Sequence, residues 1–156
     1  MIKKFLKFVR RHSKVIFIVY LVLLVLVLIF KFPSPLFHNL VDYFKNGTKL
    51  YTEQPHVKPF ETISIYVSNA HAVNDWFFKN LACNILMFVP FGLLLPLFAT
   101  KRRVWHILWA GVSAAGLIEV VQLITSFGIF DIDDIILNTV GVLIGFLLYK
   151  LLYRKL

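Results

Sequence analysis

From Val15 to Phe30 the chain runs through sixteen consecutive apolar residues, bounded by Lys14 and Lys31. No polar side chain breaks the run, so it has no wet face. A few flanking residues bring it to the ~20 that cross a hydrocarbon core. Three more such stretches follow: Leu81–Phe98, interrupted by Pro90 and Pro96, then Val104–Thr125 and Ile135–Leu152. Strands usually stop within about 10 residues. In lipid only helices and closed barrels satisfy their own backbones. Spans of this length therefore predict an all-α integral membrane protein with four transmembrane helices.

Composition agrees. Of 156 residues, 59% are hydrophobic and 16% charged, against roughly 45–50% and 25% in soluble domains. A chain this small cannot bury that excess, so it must face lipid, and disorder is excluded for the same reason. The single cysteine, Cys83, excludes a disulfide framework and a thiolate zinc site. It is expected to be a small buried side chain. The histidines show no HExxH spacing, and there is no glycine-rich phosphate loop.

The net charge of +9 is distributed by topology. Residues 1–14, the turn 101–103 and the tail from Lys150 carry twelve of the seventeen basic residues and no acid. Segments 31–80 and 126–134 hold seven of the eight acids. Cytoplasmic loops are the ones enriched in Lys and Arg, which predicts a multi-pass protein of the bacterial cell membrane with both termini cytoplasmic. The partner implied is an anionic bilayer, not nucleic acid. The basic start resembles a signal-peptide n-region, but Phe32-Pro33-Ser34-Pro35 offers no small-residue cleavage site, so an uncleaved anchor is expected.

Two parts are expected. Residues 1–57 comprise the basic segment, the anchor helix and the start of the external loop, and 58–156 form a three-helix membrane region. Within the loop, Pro35–Phe44 has apolar residues at helical spacing and suits a short interfacial helix closed by a turn at Asn46-Gly47. Asn46-Gly47-Thr48 is formally a sequon. A second interfacial helix is expected from Phe60 to Asn69, started by Pro59. Trp76, Phe77 and Phe78 sit where an aromatic belt belongs.

Ionisable groups inside spans are costly, about 2.5–3.5 kcal/mol at a helix centre, and mark functional candidates. Glu119 lies within the third span, with Gln122 on the same face. Around the fourth span Asp131, Asp134, Asn138, Gly141 and Gly145 are spaced 3, 4, 3, 4, one helical stripe with a polar half and a glycine half. Asn84 lies one turn into the second span. A tight hairpin between the last two spans would set Glu119 level with Asn138. The candidate cluster is therefore Asn84, Glu119, Gln122, Asp131, Asp134 and Asn138, in the outer half of the bilayer.

Blander readings apply to several of these. Gly141 and Gly145 form a GxxxG that suits close packing, and Asn84 and Asn138 could be interhelical hydrogen-bond glue. Pro90 frees the Leu86 carbonyl and suits a kink with a packing role, with Gly92 beside it. Asp133 reads as a solvated loop charge. If a metal bound at all, Asp131, Asp133 and Asp134 would hold it through hard oxygen ligands.

Three blocks together resemble the VanZ-like family of small bacterial membrane proteins. They are Lys58-Pro59-Phe60-Glu61-Thr62-Ile63, then Asn84 to Gly92 with Phe88 and Pro90, then Glu119-Val120-Val121-Gln122 followed by Phe130-Asp131-Ile132-Asp133-Asp134 and Asn138-Thr139-Val140-Gly141. The resemblance covers residues 58 to about 150. Many members carry an Arg just before the Phe-Asp pair, where this chain has Gly128. It implies a role in envelope physiology of the kind that gave the family its name, lowered susceptibility to the glycopeptide teicoplanin. It defines neither a reaction nor a cofactor. Two classes of function follow: a non-enzymatic module at the envelope face, or an intramembrane enzyme acting on a lipid-linked or phosphorylated envelope substrate, with Glu119 as base. A proton-coupled transporter is a third reading.

Overall fold

A computed structural model describes residues 2–31, 55–68, 75–125 and 129–153. Six helices account for nearly all of them: α1 Ile2–Arg11, α2 Ser13–Lys31, α3 Glu61–Ser68, α4 Asp75–Phe98, α5 Val104–Thr125 and α6 Ile132–Tyr153. Among the described residues the only pairing of extended backbone is a bridge between His56 and Asp131. Three stretches are long and apolar enough to span a membrane: Leu81–Phe98, Val104–Ile124 and Ile132–Tyr153. In the N-terminal run the apolar helix Ser13–Val27 is shorter. The expected loop helix at Pro35–Phe44, the Asn46-Gly47 turn and Gly128 lie outside the described residues. Trp76, Phe77 and Phe78 fall in the first turns of α4, and their side chains are likewise outside the description.

Apart from the polar residues that face inward at one end, the spanning helices are apolar, as expected where the outer surface meets lipid. Leu86, Trp109, Leu117, Ile124 and Leu151 all point outward. The inward core is built on Phe88, Phe91, Ile107, Val142 and Phe146. Sequence suggested a buried Cys83, but the residue is exposed on the outside of α4. An apolar run cannot distinguish its lipid side from its bundle side, and a thiol is compatible with either.

The principal contact is between α4 and α6, which run parallel. Side-chain-free positions make it possible. A Cβ at Gly141 would strike the Ile85 carbonyl oxygen, and one at Gly145 the Val89 carbonyl. From the other helix, a Cβ at Gly92 would strike the Val142 carbonyl. The glycine half of the stripe is thus a backbone-to-backbone seam. Pro90 and Pro96 lie within α4, which continues through both. Helix α5 packs antiparallel to α6, with Gly111 facing Val142. The hairpin register expected from sequence would have placed Gly111 level with Phe146, one turn away.

Helix α2 lies on α4. Phe17 meets Phe91 and Phe98 edge-on, with ring centroids 5.3 and 5.2 Å apart. The Tyr20 hydroxyl donates to the Met87 carbonyl at 2.7 Å. Helices α1 and α2 are almost continuous, because His12 N bonds Phe8 O at 3.1 Å and Ile16 N bonds His12 O at 3.0 Å across the junction.

Candidate functional site: a carboxylate network at one end of the bundle

Four acids meet where α3, α4, α5 and α6 converge, and each is bonded to a different donor. Asp131 precedes α6 and caps it: its Oδ1 accepts from Asp133 N at 2.8 Å. Its Oδ2 accepts from the Thr62 hydroxyl at 2.7 Å. Its own N–H donates to Glu119 Oε2 at 2.9 Å, so a carboxylate from within α5 fixes the entry to α6. Beside this, backbone pairing joins the segment ahead of α3 to the same entry, with His56 N to Phe130 O at 2.8 Å and Ile132 N to His56 O at 3.1 Å.

Asp133 overturns its reading as a loop charge. It is 0% exposed. Its Oδ1 accepts from Phe60 N at 2.5 Å and its Oδ2 from Ile63 N at 3.0 Å. A carboxylate of α6 therefore caps α3, supplying acceptors to N–H groups that a helix start leaves unpaired. Phe60 holds a left-handed φ of 64°, a conformation that costs a residue with a Cβ roughly 1–2 kcal/mol. The Asp133 bond holds it there. Helix α3 thus begins at Glu61 because of Asp133, beyond what Pro59 alone supplies.

Asp133→Ala removes both acceptors. We expect α3 to undock, with a loss of about 0.5–2 kcal/mol as for other lost caps. Amide exchange at Phe60 and Ile63 should accelerate while that of α5 is unchanged. Unaltered exchange at these two amides would contradict the capping role.

Of the six residues singled out from sequence, four are bonded into this network. Asp134 Oδ1 accepts from Asn84 Nδ2, which ties α6 to α4. Glu119 joins Asp131 rather than the expected Asn138. Gln122 and Asn138 are 8% and 6% exposed, and among the described residues neither side-chain amide has a hydrogen-bond partner. Thr62 and Phe60 complete the network; the only signal for them was the Lys58 to Ile63 block. Asp131, Asp133 and Asp134 point at three separate sets of donors. Among the described residues no three His, Cys, Asp or Glu side chains are placed to hold a metal ion.

A family model described as VanZ/LLP1 matches residues 17–153. The chain belongs to the VanZ/LLP1 family. The match includes α2 from Phe17 onward as well as the region from residue 58. A protein of Enterococcus faecium named Protein VanZ is 39% identical over 75 residues, covering 47% of this chain and 46% of that one. The matched part is therefore about half the length of this curated relative. No solved structure matches the chain. All the network residues lie within the span of the VanZ/LLP1 match.

Proposed function

We propose that this VanZ/LLP1 protein is a four-span protein of the bacterial cell membrane, with both termini cytoplasmic, that lowers susceptibility to teicoplanin-type glycopeptides through its outer polar network. The observation that carries the reading is the buried amide pair. A buried polar group without a partner costs about 1–3 kcal/mol, yet among the described residues the Gln122 and Asn138 amides find none while the four acids are well bonded. The acids hold α3 in place and give the site its ionisable carboxylate, Glu119, and the amides supply donors and acceptors for an outside group. At the outer face that group is a peptide or sugar function of the glycopeptide or of the lipid-linked precursor it targets. Family membership and likeness to the Enterococcus faecium protein support this assignment.

The orientation rests on the basic residues, which cluster at the end of the bundle opposite the network. In a Cys83→Ala background, Val57→Cys should react with an impermeant thiol reagent in intact cells and Arg102→Cys only after lysis. Both positions are exposed, so access alone decides the result. The reverse pattern would place the network at the inner face and remove it from contact with the drug.

Function is tested by expressing the chain in a teicoplanin-sensitive host. Protection that disappears in Gln122→Leu and Asn138→Leu, with membrane abundance unchanged, fits the reading. Full protection from both variants would sink it.

A further inference from the structure

At the end of the bundle opposite the acids, Arg10 of α1, Leu97 of α4, Arg102 of the α4–α5 turn and Tyr149 and Tyr153 of α6 line a small cleft of about 40 Å³. Two guanidinium groups from distant parts of the chain share it. Like charges repel, and among the described residues no acid lines the cleft to compensate them. Among the described residues neither arginine forms an ion pair. Arg102 spends one donor, Nε, on the Ala99 carbonyl at 3.3 Å, and its terminal nitrogens remain. The tyrosine rings stack with centroids 5.9 Å apart. Tyr153 is 9% exposed, and among the described residues neither hydroxyl has a hydrogen-bond partner.

We propose that this cleft is a binding site for the phosphate headgroup of an anionic phospholipid. Arg10 and Arg102 supply the charge and fork-shaped donors that suit phosphate oxygens. The Tyr149 and Tyr153 hydroxyls add neutral donors. Basic pockets between spanning helices at the cytoplasmic side are a recurrent form of headgroup site. At about 40 Å³ the cleft is far below the roughly 300–1,000 Å³ of pockets that enclose a drug-sized ligand, so it takes only the phosphate group and leaves the rest of the lipid outside. Leu147 and Leu151 of the same end of α6 are exposed, and outward Trp105 and Trp109 mark this end of α5 as interfacial. These features select a lipid over free phosphate. The site is remote from the outer network and independent of its role.

The test is thermal unfolding of the full chain in neutral detergent with phosphatidylglycerol, phosphatidylcholine or inorganic phosphate added. A ligand that binds only the folded state raises the midpoint by mass action. Phosphatidylglycerol should raise it, while phosphatidylcholine and inorganic phosphate should not. The double variant Arg10→Gln/Arg102→Gln should lose that rise. Its midpoint without lipid should be equal or higher, because two like charges are gone. Lys3→Gln/Lys4→Gln removes the same charge from α1 outside the cleft and should keep the rise. An equal rise in both double variants, or an equal loss in both, would overturn the site in favour of diffuse attraction. A rise with inorganic phosphate alone would overturn the lipid assignment.

Discussion

Gly145→Ala, the addition of one methyl group in the α4–α6 seam, is expected to cause a large loss of folded protein. The new Cβ would collide with the Val89 carbonyl oxygen and lie 2.8 Å from Leu93 N and 3.0 Å from Gly92 C. All three are backbone atoms in a helix, so none can rotate away. Overpacking a soluble core costs about 1–3 kcal/mol where side chains can adjust, and here they cannot. Between helices in lipid there is no hydrophobic driving force to compensate, and close packing carries the association. Gly141→Ala should behave alike, because its methyl meets the Ile85 carbonyl. Gly116→Ala is the control. Nothing lies within 4 Å of its Cβ position, and the gain in helix propensity of up to ~1 kcal/mol should leave it neutral or slightly stabilised. Leu143→Ala, on an exposed face, should be mild. Folded yield in mild detergent and resistance to unfolding by SDS measure the series. Gly145→Ala and Gly116→Ala behaving equally would show that the helices do not approach as described.

How far the sequence reveals this arrangement depends on the kind of signal. Apolar length located the three helices long enough to span, and the 3, 4, 3, 4 spacing from Asp131 to Gly145 revealed a face whose glycine half is the seam. It could not show which helix that seam meets. The hairpin pointed to α5, yet the closest backbone contact is with α4, a helix that is parallel and distant in sequence. Asp133 was misread because the boundary of α6 was set by its apolar run. Two acids in a first turn are a favourable helix start, and that signal places Asp133 and Asp134 within α6. Even so, its partners Phe60 and Ile63 lie 73 and 70 residues away. No periodicity reports a cap delivered from another helix. Glu119 stood out as an acid in a span, but its partner is a backbone amide, and any residue at position 131 except proline would offer one.

Glu119→Gln is expected to abolish protection against teicoplanin without loss of protein. Glu119 is 2% exposed, and one of its oxygens accepts the Asp131 N–H. Glutamine retains the shape and an acceptor oxygen for that amide, so the entry to α6 should hold. What it removes is ionisation. Glu119→Ala would be a poor test, because orphaning a buried N–H costs about 1–3 kcal/mol and would confuse misfolding with loss of function. Asp134→Asn is the parallel change on α6: it keeps a carbonyl for Asn84 Nδ2 and should have the same effect if the acids form one site. Both variants should insert, accumulate and unfold like the parent, while the drug concentration that halts growth falls to that of cells lacking the protein. Full protection by Glu119→Gln at equal abundance would reduce the carboxylate to a hydrogen-bond acceptor. The enzymatic and proton-relay readings would then fall, since both need a group that gains and loses a proton. The passive module would remain, with the acids holding α3 in place and the Gln122 and Asn138 amides meeting the ligand.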